Sequence, residues 1–354
     1  MLNKIKRYIA SEHLLRVDAL YLVALSGGAD SVALLLCLKE LGYRVEAVHC
    51  NFHLRGEESL RDEQFCEDLC QRENIPLHKV HFDTQAYADL HKVSIEMAAR
   101  ELRYRYFFQL KEALGADGIC VGHHKEDSVE TILINLVRGT GLSGLMGIRP
   151  RNNDVIRPLL CVTRQEIEDY LRKHAVSFVI DSTNLVDDVV RNKIRLNVLP
   201  QLSEINPSVT DAILTTANHL SEVDAIVQES LKTALGKAVS FINPVTQVSS
   251  NSLSTEPFQL DLSVVRAFPS PSYLLFYILK PLGFSSSQIT EMVSHLDGQT
   301  GQLWYSSTHE LTHDREIFMV LPREEAEPRT LIIPETGRYV YDEQLSLRLT
   351  ERAL

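Results

Sequence analysis

Three things are scarce in this chain of 354 residues, and each narrows what it can do. Paired cysteine is the first. The six cysteines are Cys37, Cys50, Cys66, Cys70, Cys120 and Cys161, and no two of them form Cys-x-x-Cys. That argues against a zinc ribbon or a redox dithiol. Several lie in apolar runs, where cysteine acts as a small hydrophobe; Cys66 and Cys70, four apart, read as two side chains on one helix face. The second is a long apolar run: none approaches the roughly 20 residues needed to span a bilayer. Basic residues open the chain, but no apolar core follows them, so an amphipathic first helix is expected, not a signal peptide. A cytoplasmic location with no membrane partner follows as an expectation. The third is positive charge. Lys and Arg number 36 against 47 Asp and Glu, for a net charge of −11. A general polyanion binder is disfavoured. A local basic patch is not, because basic residues outnumber acidic ones between Arg138 and Arg195, and nucleic-acid binding needs only a patch.

Two nucleotide-binding signatures are also missing. No Gly-Lys-Ser/Thr follows a glycine loop, and no Gly-x-Gly-x-x-Gly occurs. What stands instead is residues 22–31, Leu-Val-Ala-Leu-Ser-Gly-Gly-Ala-Asp-Ser. An apolar run over 21–25 reads as a buried parallel strand. Ser26, Gly27 and Gly28 break it, and residues 32–38 read as a helix stopped at Gly42. Glycines between a strand end and a helix start let a ligand approach the backbone. The first helical amides lack internal partners and the helix dipole makes that end weakly positive, so a phosphate is the natural occupant.

Along the rest of the chain the pattern predicts an α/β fold: a doubly wound, mostly parallel sheet, then a helical connector and a small α+β domain. Residues 45–51 read as the next strand, with His49, Asn51, His53 and Arg55 at or beyond its end, where open α/β sheets bind ligands. A sheet-covering helix over 57–73 carries Leu60, Phe65 and Leu69 on one face. Strands are expected over 77–83 and 118–122, with a long helix over 94–114 between them. The helix over 126–138 brings Asp127 and Glu130 to one face. Residues 139–147 read as an irregular glycine loop. Residues 155–160 read as an edge strand, since they contain Pro158. Thr163 and Glu166 form a capping box. A short strand is expected over 178–181, then a helix opening at Arg191. The domain limits expected are 1–215, a connector and linker over 216–257, and 258–354.

Several motifs occur in order: Ser26-Gly-Gly-Ala-Asp-Ser31, His49-Cys-Asn-Phe-His-Leu-Arg55, Glu96-Met-Ala-Ala-Arg-Glu-Leu-Arg-Tyr104, Gly122-His-His-Lys-Glu-Asp-Ser-Val-Glu-Thr131, Arg138-Gly-Thr-Gly-Leu-Ser-Gly-Leu145, Arg157-Pro-Leu-Leu160, Asp181-Ser-Thr-Asn184 and Arg191-Asn-Lys-Ile-Arg195. The first resembles the loop of the PP-loop ATP pyrophosphatases. The ordered set resembles bacterial tRNA(Ile)-lysidine synthase, densely over about the first 215 residues and more loosely through Gly298-Gln-Thr-Gly301. One position departs: Phe52 stands where the family usually has a second histidine.

That resemblance implies ATP and magnesium as cofactors, and L-lysine and a tRNA(Ile) with a CAU anticodon as partners. A homodimer is left open. It implies adenylation of the wobble cytidine at its C2 oxygen, then displacement of AMP by the amine of lysine. Ser26, Gly27, Gly28, Ala29, Asp30, Ser31, His49, Asn51 and His123 are the implied ATP contacts. Asp30 is the implied magnesium ligand, or else only a helix N-terminal carboxylate. Asp127 and Glu130 are catalytic candidates that attract the lysine ammonium groups, or else a solvated helix face. Arg55, Arg100, Arg103, Arg138, Arg191 and Arg195 suit phosphate or substrate binding. For Arg100 and Arg103 the alternative is a salt bridge to Glu96 or Glu101. His123 and its neighbour His124 read as nucleotide contacts, bases or structural residues. Two competing functions are a PP-loop tRNA 2-thiolase, disfavoured by the cysteine pattern, and a non-catalytic tRNA- or nucleotide-binding module.

Overall fold

A computed structural model describes residues 1–179, 190–242, 250–298, 300–323, 337–340 and 346–349. The chain divides into two compact units, Met1–Ala225 and Ile226–Leu354.

The first unit begins with α1 (Leu2–Ser11), β1 (Leu20–Ala24), α2 (Ala29–Glu40), β2 (Arg44–Asn51), α3 (Glu57–Arg72), β3 (Leu77–His81), α4 (Thr84–His91), α5 (Ile95–Leu114) and β4 (Gly118–Cys120). It continues through α6 (Lys125–Val137), α7 (Leu142–Leu145), the hairpin β5 (Arg151–Asn152) and β6 (Val155–Ile156), and α8 (Arg164–Lys173). After α9 (Val190–Lys193) comes a π-helical turn, Ile194–Val198, then α10 (Leu199–Ile205) and α11 (Val209–Ala238), which passes into the second unit at Ile226. The sheet order is β3-β2-β1-β4-β6-β5, parallel except for the final hairpin pair.

This is the doubly wound sheet expected. Side chains along β1 alternate between two cores, as strand geometry requires. Tyr21 and Val23 pack with Ile5, Val32, Leu35, Cys66 and Ile167; Leu22 packs on the other face with Val48, Phe107 and Ile119. Strand order reverses between β1 and β4. Their carboxyl ends therefore diverge into a crevice, the standard ligand site of an open α/β sheet.

The second unit contains β7 (Val239–Phe241), α12 (Ser250–Thr255), β8 (Phe258–Asp261), α13 (Leu262–Ala267), α14 (Pro271–Leu279), α15 (Ser286–Ser294), β9 (Leu303–Tyr305), β10 (His309–Asp314), β11 (Ile317–Pro322) and the pair β12 (Gly337–Val340) and β13 (Ser346–Leu349). Its antiparallel sheet runs β7-β8-β11-β10-β9. Phe258, Leu275, Phe284, Trp304 and Phe318 fill its core.

Several local expectations are corrected. Residues 139–147 are not wholly irregular, because α7 forms one turn inside them. The strand expected over 155–160 stops at Ile156 and is not an edge. Asn153, at φ 50°, turns a hairpin too short to show as periodicity, and β5 becomes the edge beyond it. Pro158 falls after the strand. Leu60 points to solvent, 55% exposed, because the buried face of α3 carries Asp62, Glu63, Cys66 and Leu69. Phe178 and Val179 are in no strand, and the remainder of that expected strand, with residues 181–184, lies outside the described residues. So do Gln299 and residues 331–334, which the sequence pattern also marks as a strand. The stretch expected as connector and linker, 216–257, contains β7 and α12 after the end of α11.

Candidate active site

The loop after β1 is tied internally. Ser26 N donates to Ser31 Oγ at 3.1 Å, and Ser31 Oγ donates to Gly28 O at 3.0 Å. Gly27 has φ +90°, a conformation that favours glycine, and a Cβ there would press on Val179, Phe65 and Cys66. Gly28 is the N-cap of α2, and a Cβ there would meet only Ser26 Oγ at 3.5 Å. The amides at the start of α2 are thus presented to open space with the helix dipole behind them.

Gly122, two residues beyond β4, closes the other side of the crevice. A Cβ there would lie 2.9 Å from the Asp30 carbonyl carbon and 3.1 Å from Ser31 N. Only glycine lets the two backbones approach so closely. The sequence motif contained Gly122, but nothing in its spacing disclosed this contact.

Two cavities meet at this point, sharing Ser26, Gly28, Asp30, Gly122 and His123. The smaller, about 240 Å³, is walled by Leu25, Val48, Phe52, Tyr104 and Phe107. Arg100 and Arg103 line it as well, but neither salt bridge considered for them is the observed contact. Arg100 lies over the Tyr104 ring at 5.0 Å and Arg103 over the Phe52 ring at 5.1 Å. The larger cavity, about 550 Å³, is lined by Arg55, Asp127, Arg164, Arg191 and Arg195.

Asp127 and Glu130 are separated by burial. Asp127 lines the larger cavity; Glu130 is 0% exposed behind it. Arg195 holds Glu130 through Nε at 2.6 Å and Nη2 at 3.0 Å. Arg191 and Arg195 each come within 3.6 Å of Asp127 Oδ1, while Asp127 Oδ2 accepts from His124 N at 3.0 Å.

Asp30 opens α2 from the loop. Burial raises its carboxyl above the ordinary value, with His124, Arg164 and Arg195 opposing. Its Oδ1 is buried and accepts no hydrogen bond among the described residues. An oxygen left in that state fits a hard cation, which takes carboxylate and phosphate oxygens together.

His123 and His124 are neighbours in opposite states. Burial pushes His123 down to about 4, with Asp127 opposing and Arg157, Arg191 and His124 reinforcing. Burial alone would lower His124 too. Its 2.9 Å contact with Glu126, together with Asp127 and Asp30, outweighs that and raises it. Three other expected contacts stand apart. His49 Nδ1 meets Leu25 O at 2.9 Å, Asn51 Nδ2 donates to Glu63 Oε2 at 2.8 Å, and neither residue nor Arg138 lines the two cavities. Arg157, which donates to His123, carried no role in the sequence reading.

Comparison with known proteins matches residues 2–202 to a PP-loop domain and residues 254–323 to a TilS substrate binding domain. The tRNA(Ile)-lysidine synthase of Bacteroides thetaiotaomicron is 46% identical over 343 residues, covering 96% of this chain and 77% of that protein. The one from Parabacteroides distasonis is 45% identical over 338 residues, covering 95% and 74%. Among solved structures, the U34-tRNA thiolase NcsA from Methanococcus maripaludis with its [4Fe-4S] cluster aligns with a TM-score of 0.52 at 16% identity, covering 62% of this chain and 78% of that one. That likeness concerns the fold alone. With nearly half the aligned residues identical to lysidine synthases over more than nine-tenths of the chain, and both domain models matched in order, the chain belongs to the tRNA(Ile)-lysidine synthase family.

Proposed function

We propose that this enzyme joins L-lysine to C2 of the wobble cytidine, position 34, of tRNA(Ile) with a CAU anticodon, using ATP through an adenylated tRNA intermediate. The observation that carries the reading is the junction of two unlike cavities at one phosphate-type loop. The smaller, with the apolar and aromatic wall of Val48, Phe52, Tyr104 and Phe107, suits a nucleoside, and the larger, with its carboxylate and arginines, suits an amino acid and a polynucleotide.

In the first step the C2 oxygen attacks the α-phosphorus and diphosphate leaves. The Gly27-Gly28 turn and the start of α2 aim amides at the phosphates as charge develops. Adenylation converts a poor leaving group into a good one. In the second step the lysine amine attacks C2, the C2–O bond breaks and AMP departs. Asp127, which faces the larger cavity, attracts the ammonium groups, and Glu130 behind it anchors Arg195. Arg191 and Arg195 suit the amino-acid carboxylate or a phosphate, and bidentate guanidinium geometry favours both. Arg55, Arg100, Arg103 and Arg138 are read as substrate or phosphate contacts. His49 and Asn51 support the β2 end of the nucleotide pocket, from which Phe52 projects in place of the family's histidine.

Asp30 would hold magnesium, which when bound neutralises charge on the ATP phosphates. Residues 258–354 are read as the domain that contacts tRNA, a reading supported by the matched substrate binding domain. The experiment is tRNA-dependent exchange of labelled diphosphate into ATP. Exchange is expected with tRNA(Ile) CAU and not without tRNA; exchange independent of tRNA would reject adenylation of the nucleic acid.

A further inference from the structure

Arg157 sits at the end of β6, 8% exposed, and its guanidinium is shared between two acceptors. Nη1 donates to Arg149 O at 2.9 Å, and Nε donates to His123 Nδ1 at 3.1 Å. The reach follows from the sheet. Cys120 on β4 pairs with Ile156 on β6, and Val121 N donates to Ile156 O, so Arg157 lies beside the strand end from which His123 projects. A guanidinium has only donors. The imidazole nitrogen facing it must therefore present a lone pair. A neutral ring with its lone pair on Nδ1 carries its proton on Nε2.

We propose that Arg157 is a positioning residue that holds His123 in the neutral Nε2–H tautomer, so that His123 serves the reaction as a hydrogen-bond donor to an anionic oxygen and not as a general base. The donor stands where the two cavities meet, since His123 lines both. A negatively charged oxygen at that junction, on a phosphate or on the adenylated carbonyl, is the chemistry such a group recognises. A neutral donor also leaves the net charge of the crevice unchanged, unlike an imidazolium. Burial, which disfavours the protonated ring, acts in the same direction. The adjacent His124 shows the contrast: its ring faces the carboxylates of Glu126, Asp127 and Asp30, and among the described residues no guanidinium hydrogen-bonds to it.

The inference deepens the proposed function and rests on it for the identity of the anion, but the tautomer can be read without substrate. The full chain is labelled with 15N in its histidine rings, and His123 is assigned by the signal lost in His123→Gln. At pH 7 the expected spectrum has an unprotonated Nδ1 and a protonated Nε2. Protonated Nδ1 would overturn the proposal whatever the enzyme's activity. In tRNA-dependent AMP release, His123→Leu is expected to lower kcat by about a hundredfold or more, the scale of a lost transition-state donor. His123→Gln should recover most of that loss, because its amide oxygen can accept from Arg157 while its NH₂ faces the cavity. Equal inactivity of the two variants would mean a base and contradict the proposal. Arg157→Met should mix the tautomers and lower kcat by about 10–100-fold with little change in the KM for ATP. Arg157→Lys, which restores a donor, should regain part of it. If the spectra are as expected but no AMP is released by wild type, the fault lies with the proposed function and not with this assignment.

Discussion

Arg195 clasps Glu130 at two points, Nε to Oε1 at 2.6 Å and Nη2 to Oε2 at 3.0 Å, with Glu130 sealed from solvent. The arginine comes from the π-helical turn Ile194–Val198 and the glutamate from α6. The pair thus fixes the turn against the helix and sets Arg195 on the cavity wall. Removing one member of a buried pair leaves an uncompensated charge, costing about 3–5 kcal/mol. Glu130→Gln and Arg195→Met are each expected to lower unfolding free energy on that scale in urea titrations. The double variant should lose less than the sum, because it leaves no orphan. Additive losses would show that the two groups act independently.

Asp127 differs from Glu130 in facing the larger cavity. Asp127→Asn should raise the lysine KM by roughly ten- to hundredfold, the equivalent of a charged hydrogen bond of about 1.5–3 kcal/mol. The dissociation constant for ATP should hardly move. A wild-type lysine KM in this variant would locate the amine site elsewhere.

Two glycines separate blocking a ligand from distorting the loop. Gly28→Ala adds a methyl that meets no protein atom closer than 3.5 Å, so its unfolding midpoint should match wild type while ATP affinity falls. Gly122→Ala forces the Asp30 backbone to move and should lose both stability and ATP binding. Calorimetry of ATP binding beside thermal melts distinguishes the two. Unimpaired ATP binding by Gly28→Ala would show that the phosphates do not rest on that turn.

Glu166 closes the capping box of α8 and meets Lys4 of α1 at 2.8 Å. Burial would raise its carboxyl, but Lys4 and the Thr163 amide outweigh that and hold it below the ordinary value. For an acid depressed in the folded state, the stabilisation is present above the unfolded value, about 4.3, and is lost as pH falls through the folded one. Glu166→Gln is therefore expected to cost stability at pH 7, by about 1 kcal/mol or less given the exposure of the pair. The difference from wild type should vanish at acid pH. A deficit that persists there would assign the effect to packing.

These residues also show what could be read in advance. The capping box of α8 and the strand–Gly-Gly–helix unit are local, and local chemistry is written in consecutive residues. Three-residue spacing likewise put Asp127 and Glu130 on one face. It could not tell which would be buried, because that is decided by Arg191 and Arg195, more than fifty residues later. Gly122 against Asp30 and Arg157 against His123 are contacts between segments far apart in the sequence, invisible to periodicity. On α3 the expected face holds for Phe65 and Leu69 but not for Leu60, for a related reason. Glu63 is buried there because Asn51 and Lys79, on neighbouring strands, satisfy it.

The most direct test of the account is transfer of labelled L-lysine to transcribed tRNA(Ile) CAU in the presence of ATP and magnesium. The account predicts label on the nucleotide at position 34, one AMP and one diphosphate released per lysine joined, and no label on the same tRNA carrying uridine at that position. AMP formation without lysine transfer, or equal labelling of the uridine tRNA, would contradict it.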